Sequence, residues 1–158
     1  MRSTYIVALL ALIVSGVWLE WISLSLMYPA QGQAQTAIPT VELAINGGEV
    51  AKGFGFGSKG QQLSSPGPTI TVKTGDVVKI TFKNVGATAH AFQVVAVRTD
   101  EKSPVLFKSN IGTSARPLTP GLDGIVAFKA EKAGNYSYIC PVPGHVALGM
   151  WGEFKVGG

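Results

Sequence analysis

Hydrophobic and polar residues alternate in short runs from Pro39 to the end of the chain. In residues 76–84, Val78, Ile80 and Phe82 alternate with lysine and threonine, which is typical of a strand with one buried face. Turn residues separate the runs, and no convincing helical period occurs among them. Because about eight short strands follow one another, we expect an all-β fold, a Greek-key β-sandwich. The predicted strands cover residues 39–45, 69–73, 76–84, 91–98, 104–108, 124–130, 135–140 and 151–156.

The glycine-rich stretch GFGFGSKG (53–60) lies between the first two predicted strands. It resembles neither a phosphate-binding loop nor a flexible linker, because Phe54 and Phe56 are spaced as on one face of a strand. We therefore expect a bulged strand or a closely packed loop, in which glycine allows another backbone to approach.

The N-terminal segment is different, since residues 5–30 are almost continuously apolar and Glu20 is their single charge. This run exceeds the roughly 7–15 apolar residues of a signal-peptide core and matches the roughly 20 residues of a membrane-spanning helix. Arg2 precedes the run, which favours an N-terminus inside the cell and the remaining chain outside. The predicted organisation is a membrane anchor over residues 1–30, a polar linker over 31–38 and a β-domain over 39–158.

Both the position of Glu20 and the fate of the anchor have an alternative. Glu20 lies either in the outer headgroup region or within the membrane, where we would expect it to pair with a helix of another subunit. Cleavage after Ala34 would release a soluble domain, but the length of the apolar run favours retention of the anchor.

The composition narrows the classes of function. The net charge is +4, and the basic residues are scattered without interleaved aromatic residues, which argues against nucleic-acid binding. The single cysteine excludes an internal disulfide. In a domain outside the cell, a lone thiol needs a ligand, a partner or a buried site.

The stretch CPVPGHVALGM (140–150) contains that cysteine, Cys140, followed by His145 and Met150 with four residues between each pair. His90, the only other histidine, lies at the start of a predicted strand and can reach this loop, because strand ends converge in a sandwich. One thiolate, two imidazoles and one weak thioether form a ligand set that selects copper stable as both Cu(I) and Cu(II).

Other interpretations of these four residues are weaker. Zinc would find a thioether a poor fourth ligand. A catalytic Cys–His pair would need an orienting residue, and no Asn or Asp lies beside His145 in the sequence. Ordinary packing explains each residue singly. It does not explain why the chain's whole supply of Cys and His fits one site.

The residues between the ligands suit a copper loop. Pro141, Pro143 and Gly144 restrict the backbone, so that the geometry changes little between oxidation states. Apolar side chains exclude water and favour the less charged reduced centre, which predicts a relatively high reduction potential. These apolar residues are Val142, Val146, Ala147 and Leu148.

Three motifs resemble the cupredoxins, the blue copper proteins, and in particular their sulfocyanin and rusticyanin branch. YSYICPVPGHVALGMWGEFKV (136–156) is similar to the copper loop of that family. GFGFGS (53–58) is similar to the FNFNG-type signature of sulfocyanins, with glycines where asparagines would be expected. PGPTITVKTGDVVKITFKN (66–84) looks like the strand pair that precedes the first histidine ligand. The resemblance covers residues 39–158.

The resemblance implies a role for each residue of the site. His90, Cys140 and His145 would be the equatorial ligands of one copper ion, and Met150 the long axial ligand. Ala91 stands where many cupredoxins have Asn or Ser, so the side chain that ties the two ligand loops together is missing. The backbone N–H of Ala91 would still donate to the Cys140 sulfur. Val142 and Pro143 would complete the surroundings of the ligands.

The function that this implies is one-electron transfer without substrate turnover, by a carrier on the outer face of the cell membrane. The electron would pass through the edge of His145, and the partners would be a quinol-oxidising complex, a terminal haem-copper oxidase or both. A nitrite reductase needs further histidines and a two-copper centre needs a second cysteine, so both fail by counting. A copper storage module and an assembly subunit of an oxidase complex remain as alternatives. The expected docking patch consists of Val142, Pro143, Val146 and Leu148.

Overall fold

The computed structural model describes residues 38–158, which form eight strands and no helix. The predicted anchor over residues 1–30, Glu20 and all but the last residue of the predicted linker lie outside the described residues. No helix among residues 38–158 has the length and apolar character needed to cross a bilayer. The strands are β1 (Val41–Val50), β2 (Gly53–Ser58), β3 (Ile70–Lys73), β4 (Val77–Asn84), β5 (Gln93–Val95), β6 (Asp123–Lys129), β7 (Gly134–Ile139) and β8 (Trp151–Gly157).

The strands form two four-stranded sheets, with the orders β2-β1-β4-β6 and β3-β8-β7-β5. In the first sheet β1 and β4 are parallel, with Gly47 opposite Asn84, so both strands run toward the same end of the domain. In the second sheet β7 and β8 are antiparallel, and Ile139 at the end of β7 pairs with Trp151 at the start of β8. The all-β prediction is confirmed for residues 38–158.

Aromatic side chains from both sheets fill the core. Phe56 on β2 is fully buried and lies edge-on to Tyr138 on β7, with the ring centroids 5.1 Å apart. The same ring contacts Phe82 and Phe92 at centroid distances of 5.9 and 6.1 Å. Tyr138 donates its hydroxyl proton to the Pro68 carbonyl over 2.6 Å, which satisfies the polar end of a buried ring.

The stretch GFGFGS forms the regular strand β2, paired with β1 from Gly53 to Ser58. Its glycines are needed because a second backbone lies against the strand: a Cβ at Gly55 would meet the Ser64 carbonyl oxygen. Gly57 faces the Gln62 carbonyl in the same way. The expected close packing is confirmed, and the stretch is a strand rather than a loop.

The prediction of a strand over residues 104–108 is wrong. Only an isolated bridge joins Val105 to Val95, and Phe107 and Lys108 have φ values of +54° and +55°, which end any extended run. Phe107 instead packs its ring parallel to Phe128, 6.0 Å away. The predicted strand 91–98 is confirmed only over the three residues of β5.

Candidate metal centre

Three potential ligands from separate parts of the chain meet at one end of the domain. His90 lies between β4 and β5, Cys140 directly follows β7, and His145 lies in the loop that leads to β8. The Nδ1 atoms of the two histidines are 3.2 Å apart, and the Cys140 Sγ is 3.4 Å from the Nδ1 of His145. Their donor atoms all lie within 4.8 Å of one another, and all three residues are buried. The geometry brings together the Cys and both His predicted from the sequence.

Backbone hydrogen bonds hold the 140–150 loop in shape. Cys140 N–H donates to the Met150 carbonyl over 3.1 Å, and Met150 N–H donates to the His145 carbonyl over 2.9 Å. Gly149 has a φ of +92°, which favours glycine, and its carbonyl accepts a 3.1 Å hydrogen bond from the Ser65 hydroxyl. These hydrogen bonds tie the loop at both ends and at Gly149, and so define the positions of Cys140 and His145 relative to each other.

Ala91 links the two ligand segments through its backbone. Its N–H donates to the Cys140 sulfur over 3.4 Å, the contact expected from the sequence. The Ala91 side chain is fully buried. Ala91 therefore lacks a side chain that could join the two ligand segments, but its backbone N–H still joins them through the Cys140 sulfur.

Burial sets the protonation states of the three residues. Burial, and then the neighbouring His90, lower the pKa of His145 to about 4, and burial also lowers the pKa of His90. Both imidazoles are therefore neutral at pH 7, the form that binds metals. Burial raises the pKa of the Cys140 thiol to about 11, so metal binding must release its proton. Two neutral imidazoles, together with a thiol that becomes a thiolate when the metal binds, are a ligand set that suits a copper ion.

Met150, the predicted axial ligand, is fully buried in the core cluster that also contains Cys140. A Cβ at Gly47 would lie 2.8 Å from the Met150 methyl carbon and 2.6 Å from the Phe82 ring. A side chain at position 47 would therefore displace the Met150 methyl group or the Phe82 ring. Axial ligation by Met150 stays a prediction.

The expected docking residues have different environments. Pro143 and Leu148 are exposed, Leu148 with 51% of its surface accessible, and Val142 is partly buried against the core. Val146 is only 9% exposed and packs with Val95 and Ile139, so it is not available for docking as predicted. His145 is 7% exposed.

Phe54 is a further site residue that was not among those predicted from the sequence. Its ring stacks on the His145 imidazole, with the centroids 4.0 Å apart and the planes 18° from parallel, and lies edge-on to His90 at 5.3 Å. The Phe54 N–H donates to the Leu148 carbonyl over 3.1 Å, which joins β2 to the ligand loop. Gly53 permits this approach, because a Cβ there would meet the Leu148 carbonyl oxygen. The alternation of glycine and phenylalanine in GFGFGS was the sequence feature that could have indicated this close approach to the ligand loop.

Glu49 is a second missed residue, and its sequence surroundings contain no signal of its role. Burial raises the pKa of its carboxyl group, but hydrogen bonds from Thr88 and Ala87 outweigh that effect and lower it to about 2. The Glu49 Oε1 atom lies 3.5 Å from the Nε2 of His90. The Glu49 carboxylate therefore lies next to the Nε2 side of the His90 ring.

Phe54→Leu is expected to weaken copper binding by roughly 2- to 12-fold, because aromatic pairing contributes about 0.5–1.5 kcal/mol beyond buried area. Competition with a Cu(I) chelator measures this affinity. Phe107→Leu is the matched control, since Phe107 stacks on Phe128 and not on a histidine. Equal losses in the two variants would contradict a specific role for the Phe54–His145 stack.

Comparison with known proteins places these features in a family. Residues 55–157 match the family described as copper binding proteins, plastocyanin/azurin family. Auracyanin-A from Chloroflexus aurantiacus is 34% identical over 120 residues, which cover 64% of this chain and 72% of that protein. Rusticyanin from Acidithiobacillus ferrooxidans is 33% identical over 97 residues, and the match spans only 60% of its length and 56% of this chain.

Solved structures show the same fold. A crystal structure of a multicopper oxidase superposes with a TM-score of 0.55 at 27% identity. The superposition covers 75% of this chain and 42% of that protein. The β-domain therefore has a fold that is also found as part of a larger copper enzyme.

Proposed function

The chain belongs to the plastocyanin/azurin family of copper-binding proteins, and we propose that it carries single electrons through one bound copper ion. The observation that carries this proposal is the buried set of His90 Nδ1, His145 Nδ1 and Cys140 Sγ. Bound copper supplies the Cu(I)/Cu(II) couple. The chain contains two histidines and one cysteine in all, and this single site uses every one of them.

The surroundings of the ligands suit electron transfer better than turnover of a substrate. Backbone hydrogen bonds brace the loop, Phe54 stacks on His145, and the Ala91 N–H donates to the Cys140 sulfur. Rigid ligands keep one geometry in both oxidation states, which lowers the cost of moving an electron. A nitrite reductase of this fold would need further histidines and a two-copper centre a second cysteine, and the chain contains neither. We therefore propose a carrier and not an enzyme.

The electron would enter and leave beside His145. This residue keeps 7% of its surface accessible, and the exposed Leu148 and Pro143 lie in the same loop. A small apolar surface of this kind suits the weak, transient contacts of redox partners. The proposed docking patch therefore consists of Pro143, Leu148 and the partly buried Val142, without Val146.

We also propose that the domain works on the outer face of the cell membrane, anchored by residues 1–30, with Arg2 on the inner side. The support is the apolar run of residues 5–30 in the sequence. A carrier held there would exchange electrons with a quinol-oxidising complex or a terminal haem-copper oxidase. Met150 would be the axial ligand and Glu20 the residue that contacts a membrane subunit.

The proposed function is tested by following the oxidised, copper-loaded full chain mixed with respiratory membranes and quinol. We expect quinol-dependent reduction by one electron per copper. Leu148→Lys should slow this reduction about tenfold, because it places a charge in the apolar patch. Ile125→Lys is the control, since Ile125 is an exposed aliphatic residue on β6, 62% accessible against 51% for Leu148.

Two outcomes would contradict the proposal. A colourless protein that binds Cu(I) without a stable Cu(II) form would favour copper storage. Reduction slowed equally by both lysine variants would show that the partner does not dock at Leu148.

A further inference from the structure

Glu49 lies on β1, next to the end of the strand, and its carboxylate faces the segment that leads to His90. Its Oε2 accepts the Ala87 N–H over 2.8 Å, and its Oε1 accepts the Thr88 N–H over 3.0 Å. The Thr88 hydroxyl donates to the same Oε1 over 2.7 Å. Three hydrogen bonds thus hold the carboxylate in one position, although the side chain is 37% exposed.

The backbones of β1 and of the segment before His90 lie very close together beside Glu49. A Cβ at Gly86 would meet the Glu49 Oε2 and would lie 2.9 Å from the His90 Nε2. A Cβ at Gly48 would lie 3.0 Å from the Gly86 backbone. Glycine at positions 48 and 86 therefore allows β1 and the 84–88 segment to approach closely enough for Glu49 to reach the histidine.

The two nitrogens of the His90 ring face different groups. Nδ1 points toward the site, 3.2 Å from the Nδ1 of His145. Nε2 lies 3.5 Å from the Glu49 Oε1 and 3.3 Å from the Thr88 hydroxyl oxygen. Since a metal bound at Nδ1 requires the proton on Nε2, an acceptor at this place selects the correct tautomer and holds the ring.

We propose that Glu49 is a positioning residue for His90, which orients the imidazole through Nε2 and lowers the reduction potential of the bound copper by its negative charge. This inference rests on the proposed one-copper function. The physical reason is that an anion near a metal stabilises the more positive oxidation state, and partial burial limits screening by salt. Removing the charge while keeping an acceptor should therefore favour Cu(I).

Glu49→Gln is the decisive variant, because it removes the charge and retains an amide oxygen. We expect the Cu(I)/Cu(II) ratio at a fixed ambient potential to rise about tenfold, which is a potential shift of about 59 mV for one electron. Glu42→Gln is the matched control on the same strand. Glu42 is exposed and pairs with Lys79, and seven residues of β-strand, about 23 Å, separate it from Glu49.

The measurement is a spectroscopic redox titration of the full chain, with thermal unfolding recorded for each variant. Equal shifts in the two glutamine variants, or no shift in Glu49→Gln, would overturn the inference. If Glu49→Gln does not fold, Glu49→Asp decides: it keeps the charge, so a ratio within about twofold of wild type is expected, and a tenfold rise would overturn the inference.

The metal-free protein provides an independent readout. Nitrogen NMR of the His90 ring should show the proton on Nε2 in the wild-type chain, and a proton mainly on Nδ1 would overturn the positioning role. A wild-type chain without a coloured Cu(II) state would instead contradict the proposed function. The tautomer of metal-free His90 would then still decide whether Glu49 orients the ring.

Discussion

Cys140→Ser is expected to abolish the intense visible absorption of the oxidised, copper-loaded chain. That absorption comes from charge transfer between a cysteine thiolate and Cu(II), and Cys140 is the only cysteine of the chain. A serine hydroxyl at this buried position is a harder and far less acidic ligand. Its oxygen cannot provide the sulfur orbital from which the transition starts. The measurement is the visible spectrum of both proteins at equal copper content.

Met150→Leu is the control for that experiment. It removes the predicted axial thioether but leaves the Cys140 sulfur with its 3.4 Å contacts to the Ala91 N–H and the His145 Nδ1. We expect this variant to keep the visible band with a higher reduction potential. A Cys140→Ser protein that stays intensely coloured would disprove the assignment of Cys140 as the copper thiolate.

Phe56→Ala is expected to lower the free energy of unfolding by about 3–5 kcal/mol. The ring is fully buried and contacts three other aromatic rings, two of which, Phe92 and Tyr138, come from outside its own sheet. Truncation would leave a cavity that the regular strand β2 cannot close by moving, because the backbone at Ser64 already lies against it. Urea denaturation of the copper-free chain measures the loss.

Ile125→Ala is the comparison for this variant. Ile125 is 62% exposed on β6, and we expect its truncation to change the free energy of unfolding by less than about 0.5 kcal/mol. Similar losses in both variants would mean that Phe56 does not lie in the centre of the folding core. A loss near 4 kcal/mol would remove a large part of the stability of a typical domain.

Local pattern predicted most strands because their side chains alternate between a buried and an exposed face. Val78, Ile80 and Phe82 are fully buried on β4, as their spacing predicts. The segment 104–108 has similar composition but does not pair along its length, because Phe107 adopts a positive φ and packs on Phe128 instead. Tertiary packing therefore determined the conformation of residues 104–108, and the local alternation of residues does not indicate that packing.

The sequence by itself identified the three residues that the fold brings together at the candidate metal centre. Cys140 and His145 belong to one loop and His90 is the only other histidine, so counting and donor chemistry were sufficient to select the three residues whose donor atoms meet. What only the tertiary structure decided is which neighbours reach the ligands. Phe54 stacks on His145 across 91 positions of sequence, and Glu49 reaches His90 across 41. Val146 turns inward from the same loop that leaves Leu148 exposed. These contacts depend on which strands pair and how closely two backbones approach, and short-range alternation carries no information about either.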